Sequence, residues 1–422
     1  MKNKLVNQYK KSEFFQNLTK VFTGNVVAQL ILVGVSPFLT RVYTPADFGV
    51  YGAYASLLGI FLVVSSFAYE KAIPIEKQEN QSNHLIILCL LISTLFFILG
   101  IGIYLIIGWS VFDLLDLSVS FWMPLLFSFG LYAASIQQIL NYWAIKTNEY
   151  GFISTAKVGQ STANVVMQFF FSKMNLQNGV GLVRGDILAR MTSSLYLALR
   201  FTKSKKTTFN WKILRYQLIK YRRFPLFGAP SLVLNNLALQ LPTLIFISFF
   251  GSELSGQFSL TQRMVGMPIS MITLSLGQVF YGNASNLAKN NRPKLLQNYF
   301  KLSKHMLLIF LLPMMIFMFI APNLFSYLFG PNWIIAGQFA RILTPMFLSQ
   351  LIVIPVSQIL YITNNQTLQL VWDSSRFLLL VIGFILVSRL NLGIEVAVLF
   401  YSSTMTFSYL LLYLLGIKSL KQ

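Results

Sequence analysis

Long apolar segments separated by polar loops occupy most of this 422-residue sequence. Hydrophobic residues make up 55% of the chain and charged residues only 11%, which lies outside the usual balance of a soluble domain. A membrane-spanning helix needs about 20 mostly apolar residues. The sequence therefore predicts an all-α polytopic membrane protein that leaves no room for a soluble catalytic domain.

Hydropathy windows predict twelve transmembrane helices. They cover approximately residues 18–40, 47–70, 83–108, 119–145, 150–172, 180–199, 224–250, 254–281, 303–321, 337–362, 368–388 and 393–415. The first twenty residues are polar and basic and lack the apolar core of a cleaved signal peptide. The first span is therefore expected to act as its own signal.

The net charge of +21 is explained by its distribution along the chain. With a cytoplasmic N-terminus, 24 of the 33 basic residues fall on the inner side and only Arg41, Lys173 and Arg389 on the outer side. This asymmetry predicts that both termini are cytoplasmic, and it gives the basic excess a topological role rather than one in binding nucleic acid. The basic loop from Arg200 to Phe224 is also a candidate for contact with anionic lipid or a cytoplasmic partner enzyme.

The same loop divides the predicted spans into six and six. We predict an N-terminal six-helix bundle over residues 1–199, a basic cytoplasmic linker over 200–223 and a C-terminal six-helix bundle over 224–422. Both halves begin with a similar pattern of Gly, Pro, an acidic residue and Gly. Because six is an even number, two such halves have the same orientation in the membrane, as in transporters built from parallel repeats.

Charged residues within the predicted spans are the candidate functional residues, because a charge at mid-bilayer costs about 2.5 to 3.5 kcal/mol on insertion scales. Asp186 and Arg190 are four residues apart, and Asp373 and Arg376 are three apart, so each pair shares a helix face. The two members of each pair either neutralise each other, or Asp186, Asp373 or Glu395 titrates to couple transport to an ion gradient. Both interpretations stay open.

Three further cations have no acidic residue within seven positions. They are Arg263, in the stretch GQFSLTQRMVGMPISMITLSLGQVFYGNAS, Lys157 and Arg341. For Arg341 the alternative is that its side chain extends to the membrane interface. We predict that these cations contact an anionic substrate, since a guanidinium group suits phosphate oxygens.

Amide side chains share the predicted spans and are suited to hydrogen bonding with sugar hydroxyls, although each could instead join helices. They are Gln29, Gln137, Gln138, Gln160, Asn164, Gln168, Asn235, Asn236, Gln240, Gln262 and Gln278. The combination of cations and amides favours a headgroup made of phosphate and sugars.

Motifs for chemistry are missing from the sequence. It contains no Gly-rich phosphate loop with its lysine, its two histidines are far apart, and its single cysteine, Cys89, lies within an apolar run. We predict no catalytic residues, no metal site and no cofactor, and we expect transport rather than enzymatic activity.

The first predicted hairpin carries a family resemblance. The stretch SPFLTRVYTPADFGVYGAYASLLGI, followed by YEKA, resembles the polysaccharide-exporter branch of the MOP superfamily, and the stretch around Arg263 is similar to the eighth helix of that family. The resemblance implies two six-helix bundles that move undecaprenyl-pyrophosphate-linked oligosaccharides across the bacterial plasma membrane by alternating access. It also implies that Arg263 engages the pyrophosphate, whereas Lys157 and Arg341 rest on the residue argument alone.

The resemblance further implies a role in O-antigen (lipopolysaccharide) or capsule biosynthesis, with membrane lipid and other polysaccharide-assembly proteins as partners. Two other functions stay open. A cation-coupled multidrug exporter of the same superfamily often has an acidic residue in the first helix of a bundle, and the first predicted span here has none. A membrane glycan polymerase or ligase should have a large outer loop, and the longest outer loop here, around residues 109–121, is short.

Overall fold

The computed structural model describes residues 22–107, 122–174, 179–204, 209–290, 292–363 and 365–421, and all regular elements in these ranges are helical. Within these ranges, the first half of the chain contains seven α-helices: α1 (Phe22–Leu39), α2 (Pro45–Leu62), α3 (Glu79–Ile107), α4 (Met123–Lys146), α5 (Tyr150–Ser172), α6 (Val180–Ser204) and α7 (Trp211–Lys220). A short 3-10 helix, Tyr69–Ala72, lies between α2 and α3. The outer loop around residues 109–121 and the N-terminal basic residues are outside the described ranges.

The second half contains seven more helices: α8 (Ala229–Thr261), α9 (Met267–Asn290), α10 (Arg292–Phe329), α11 (Ile334–Ser357), α12 (Ile359–Ile362), α13 (Gln366–Arg389) and α14 (Ile394–Lys421). Two π-helical turns, Phe224–Gly228 and Gln262–Gly266, precede α8 and α9. Helix α8 is broken at Gly251, whose φ of 79° is accessible mainly to glycine. This break separates the seventh and eighth predicted spans.

Eight of the described segments are long and apolar enough to cross a membrane, and one of them, Phe224–Ser285, is long enough for two passes. Helices α2, α5 and α6 are not among these segments, because they are less apolar. Helices α5 and α6 carry charged and amide side chains, among them Lys157, Asn164, Asp186 and Arg190, that lower their mean hydropathy. With these three helices included, the helices fit the predicted all-α architecture of about twelve spans.

The chain divides into two compact units, each of which packs mainly within itself. The first contains the described residues up to Tyr43 together with Val50–Leu244, and the second contains Thr44–Gly49 together with Ile245–Gln422. This division falls at the start of α2 and within α8, whereas the predicted bundle boundaries lie at residues 199 and 224. The two predicted bundles and the linker assigned to 200–223 stay predictions.

In the first unit, α6 packs against both α4 and α5, and α3 packs against α4. Gly185 makes the close approach of α5 and α6 possible, because an added Cβ atom would lie 2.6 Å from Cγ of Gln168. In the second unit, α11 is central and packs against α9, α10 and α14. Its buried Leu343 and Phe347 belong to a large apolar core. These packed helices provide the rigid framework for the buried charges described next.

Candidate functional site

Arg263 lies in the π-helical turn Gln262–Gly266, in the second unit. In this turn the amide of Met267 donates to the carbonyl oxygen of Gln262, five residues earlier. Pro268 follows directly and has no N–H group to donate to Met264, which disfavours a regular α-helical turn at this point. The Arg263 side chain is only 8% exposed, and its guanidinium carbon lies 5.9 Å from the centre of the Phe48 ring.

Phe48 is held in place by the start of α2. Thr44 and Asp47 form a reciprocal cap: the Asp47 carboxylate accepts from the Thr44 amide at 2.8 Å, and the Thr44 hydroxyl oxygen accepts from the Asp47 amide at 3.3 Å. Pro45 occupies the first helical position, where its missing N–H costs nothing. The Phe48 ring also meets Trp333 edge to face, with centroids 5.1 Å apart. The TPADFG stretch thus builds one wall of the Arg263 environment.

A second buried guanidinium, that of Arg376, lies on α13 in the same unit. Its Nη2 atom is 3.2 Å from Oδ1 of Asp373, and its guanidinium carbon is 4.5 Å from the centre of the Trp372 ring. The Asp373 side chain is one-third exposed and accepts a hydrogen bond from Gln369 at 3.1 Å. The carboxylate partner of Arg376 is therefore partly exposed.

Tyr401 connects these two environments. It is within hydrogen-bonding reach of Gln262, the residue before Arg263, and the charge of Arg376 acts on its phenol. Gln262 and Arg376 are therefore both close to one buried tyrosine, although they are far apart in the sequence. Arg263 and Arg376 are thus two buried arginines of the second unit.

Asp186 is the centre of a polar cluster in the first unit. Its carboxylate lies 2.6 Å from Nε of Arg190 and accepts hydrogen bonds from Asn164 at 3.1 Å, Tyr54 at 3.3 Å and Tyr51 at 3.4 Å. The pair predicted from the four-residue spacing is therefore an ion pair, with three further donors around it. These donors surround the carboxylate, which is buried within the first unit.

The remaining candidate residues lie apart from these clusters. Lys157 on α5, Arg341 on α11 and Glu395 in the first turn of α14 are exposed. Within the described part of the chain, none of the three joins the ion pairs of Asp186 or Asp373. Their predicted roles in substrate contact or coupling stay predictions.

Several of the predicted sugar-binding amides instead join helices of the first unit. Gln137 on α4 donates to Gln160 on α5 at 2.5 Å and to Ser193 on α6 at 2.9 Å. Gln168 donates to the carbonyl oxygen of Leu182 at 3.4 Å. Asn235 and Gln278, by contrast, are exposed and open to a ligand.

Sequence reasoning missed the aromatic members of these sites: Phe48, Tyr51, Tyr54, Trp372 and Tyr401. A usable signal was present for Tyr51 and Tyr54, which are three residues apart and so share one face of α2. No spacing rule could pair them with Asp186, because the contact spans more than 130 positions of the chain.

A protein family described as polysaccharide biosynthesis protein matches residues 38–336. The chain belongs to this polysaccharide biosynthesis protein family. The match contains the TPADFG stretch, Asp186 and Arg263. Among curated proteins no significant match was found.

Solved structures of MOP superfamily transporters share the fold of this polysaccharide biosynthesis protein at low identity. The inward-facing conformation of a multidrug resistance MATE family transporter has a TM-score of 0.67 and 17% identity, and the match covers 95% of this chain and 94% of that chain. The inward closed conformation of the lipid II flippase MurJ has a TM-score of 0.70 and 13% identity, with 96% and 87% covered. A MOP superfamily transporter from Pyrococcus furiosus has a TM-score of 0.51 and 16% identity, with 96% and 94% covered.

These matches confirm the resemblance to the MOP superfamily and the predicted all-α membrane fold. Eight of the described helical segments are long and apolar enough for a multi-pass membrane protein, as the hydropathy predicted. Its structural neighbours are transporters and flippases rather than enzymes.

Proposed function

We propose that this protein is a flippase that moves undecaprenyl-pyrophosphate-linked oligosaccharides across the plasma membrane during O-antigen or capsule assembly. Two findings support the proposal. The family is one of polysaccharide biosynthesis, and the fold is shared with a lipid II flippase. The multidrug transporters with the same fold do not favour drug export here, because the first predicted span lacks an acidic residue.

The observation that carries the proposal is the buried position of Arg263. An arginine is always charged, and a charged side chain within a membrane span is by default a candidate for contact with a substrate or ion. Its planar fork of N–H groups matches the oxygens of a phosphate, and the contact with Phe48 orients the guanidinium group. Arg263 is therefore the expected primary contact for the pyrophosphate.

Arg376 is the expected second contact. When the pyrophosphate arrives, it competes with the partly exposed Asp373 carboxylate for the Arg376 guanidinium group. The exposed amide of Gln278, in the same unit as Arg263, is a candidate for contacts with the sugars. In this mechanism the protein alternates between inward-open and outward-open states, while the polyprenyl tail stays in the surrounding lipid.

The decisive experiment is translocation of a fluorescent undecaprenyl-pyrophosphate oligosaccharide in proteoliposomes, scored by the access of an external glycosidase to the sugar. We expect protein-dependent exposure with the wild type. Arg263→Ala should reduce the rate about 10- to 100-fold, since hydrogen bonds to charged groups contribute about 1.5 to 3 kcal/mol. Arg263→Lys should retain part of the rate, because it keeps the charge but loses the fork.

Arg389→Ala is the matched control. Arg389 is an exposed arginine at the end of α13, so its removal should leave transport unchanged. Equal reconstitution and equal thermal stability of the variants exclude misfolding as the cause. Wild-type transport by Arg263→Ala would remove Arg263 from the mechanism, and absence of transport by the wild type across several glycans and ion gradients would contradict the flippase proposal.

A further inference from the structure

Helix α7 is an amphipathic helix, and one of its faces packs against other described residues of the first unit. Asn210 caps its N-terminus by accepting from the Lys212 amide at 3.0 Å. Leu214 and Gln217, three residues apart, are fully buried. The hydroxyl group of Tyr69 donates to the carbonyl oxygen of Leu218 at 3.1 Å. The helix is thus held in a defined orientation.

An ion pair completes this attachment. Nζ of Lys220 lies 2.5 Å from Oε2 of the buried Glu76, and the Tyr221 hydroxyl donates to the same oxygen at 3.0 Å. Gln217 donates to Gln81 at 3.2 Å. The Glu76 carboxylate therefore contacts the side of α7 that packs against the rest of the first unit. It does not lie on the outward face of α7.

The outward face of α7 combines aromatic, aliphatic and basic side chains. Trp211 is 65% exposed, Tyr216 53% and Ile219 57%. Lys212 and Arg215 are exposed between them, and α7 itself contains no acidic residue. Rings with one polar end and long basic side chains are the residues that favour a membrane interface.

The position of α7 in the chain places it at such an interface. Helix α7 ends at Lys220 and an apolar span begins at Phe224. Four residue steps reach at most about 14 Å, so the end of α7 is close to the level at which the chain enters the bilayer. Arg222 and Arg223, both exposed, lie within this short connection. The predicted topology puts this segment on the cytoplasmic side.

We infer that α7 is an interfacial helix whose outward face binds the anionic phospholipid headgroups of the cytoplasmic leaflet. Lys212, Arg215, Arg222 and Arg223 bind the phosphates, while Trp211, Tyr216 and Ile219 enter the boundary between headgroups and acyl chains. A lipid surface supplies both partners at once, phosphate for the cations and hydrocarbon for the rings. The inference does not depend on the transported substrate.

The test uses an environment-sensitive fluorophore on the outward face. The label is attached to Ile219→Cys in a Cys89→Ala background, and the full chain is placed in nanodiscs of phosphatidylcholine, with or without phosphatidylglycerol. In discs with phosphatidylglycerol, we expect the emission to shift to the blue and aqueous iodide quenching to fall about threefold, as basic residues draw the helix to an anionic surface. A nitroxide attached to the lipid should then quench the label.

Two charge-reversal variants sharpen the result. Lys212→Glu with Arg215→Glu should abolish the difference between the two kinds of nanodisc. Lys301→Glu with Lys304→Glu, an equal charge change at exposed positions of α10, should preserve it. A label equally open to iodide in both nanodiscs would overturn the inference. Shielding without quenching by the lipid nitroxide would also overturn it, because protein would then cover this face.

Discussion

At the scale of single residues, three of the buried charged side chains, Asp186, Arg376 and Arg263, have different surroundings. Asp186 is surrounded by Arg190, Asn164 and two tyrosines, so its charge is compensated within the first unit. Arg376 forms an ion pair with the partly exposed carboxylate of Asp373, and Arg263 packs against Phe48. We expect the Asp186 pair to stabilise the fold, whereas the proposed function assigns Arg263 and Arg376 to the anionic substrate.

The Asp186 cluster yields a prediction about stability. Asp186→Asn leaves the Arg190 guanidinium group without its carboxylate, and loss of one member of a buried pair costs about 3 to 5 kcal/mol. We expect a lower thermal unfolding temperature in detergent, and partial recovery in the double variant Asp186→Asn/Arg190→Gln. Glu395→Gln, at an exposed position, should have the unfolding temperature of the wild type. An unfolding temperature unchanged by Asp186→Asn, with transport lost, would assign Asp186 to coupling instead.

At the scale of elements, close helix contacts in the second unit depend on two glycines. An added Cβ atom at Gly49 would lie 1.9 Å from the carbonyl oxygen of Ser252, and one at Gly256 would lie 1.7 Å from that of Pro45. No side chain fits at these distances. The glycines of the first hairpin and of the stretch before Arg263 therefore pack against each other's backbone, which brings Phe48 to Arg263.

Gly49→Ala should consequently destabilise the second unit by about 1 to 3 kcal/mol, the usual cost of overpacking. The same variant should weaken substrate binding by Arg263, because Phe48 must shift with its helix. Gly34→Ala serves as the control, since nothing lies within 4 Å of the added Cβ atom and alanine favours a helix. Thermal unfolding of both variants measures the difference, and equal effects would argue against the close contact.

The attachment of α7 yields a prediction about pH. Burial by itself raises the pKa of Glu76, but hydrogen bonds from Lys220, the Gln78 amide and Tyr221, together with the Lys220 charge, outweigh burial and lower this pKa to about 2. The ionised carboxylate thus stabilises the docked helix above its ordinary pKa of 4.5, and this contribution is lost as the pH falls toward 2.

Hydrogen exchange of the α7 amides measures this effect. Glu76→Gln should speed exchange about tenfold at neutral pH, because a hydrogen bond to a charged group contributes about 1.5 kcal/mol or more. In the wild type, protection corrected for intrinsic exchange should decline between pH 4.5 and 2. Glu149→Gln, a change of an exposed carboxyl group directly before α5, is the control. Protection independent of Glu76 would show that Leu214 and Gln217 suffice for docking.

At the scale of the whole molecule, the uneven placement of basic residues predicts the orientation in the membrane. The net charge is +21, yet only 3 of the 33 basic residues lie in the predicted outer loops. Such a bias resists translocation of the basic loops during insertion. The same excess of basic residues makes the cytoplasmic surface positively charged. In the inference above, α7 lies at this surface and faces the lipid.

This orientation can be tested with single cysteines in a Cys89→Ala background. A membrane-impermeant maleimide added to intact cells or spheroplasts should label Arg389→Cys and should label Lys301→Cys only after permeabilisation. Both positions are exposed, so access differs only by the side of the membrane. The reverse pattern would invert the predicted topology and would place α7 at the outer leaflet.

The sequence by itself predicted about twelve membrane spans and their order, because apolar runs of sufficient length have few other solutions in lipid. It did not predict α7, which lies in the segment assigned to the linker. It also determined the family through one local stretch, TPADFG, and the partners of Asp186 and Asp373 within a single helix, because spacings of three and four residues fix a helix face. The tertiary structure alone decided that Phe48 packs on Arg263, that Tyr51, Tyr54 and Asn164 surround Asp186, and that α8 breaks at Gly251. These features depend on contacts between residues distant in the chain, or on a backbone conformation that the local pattern does not specify.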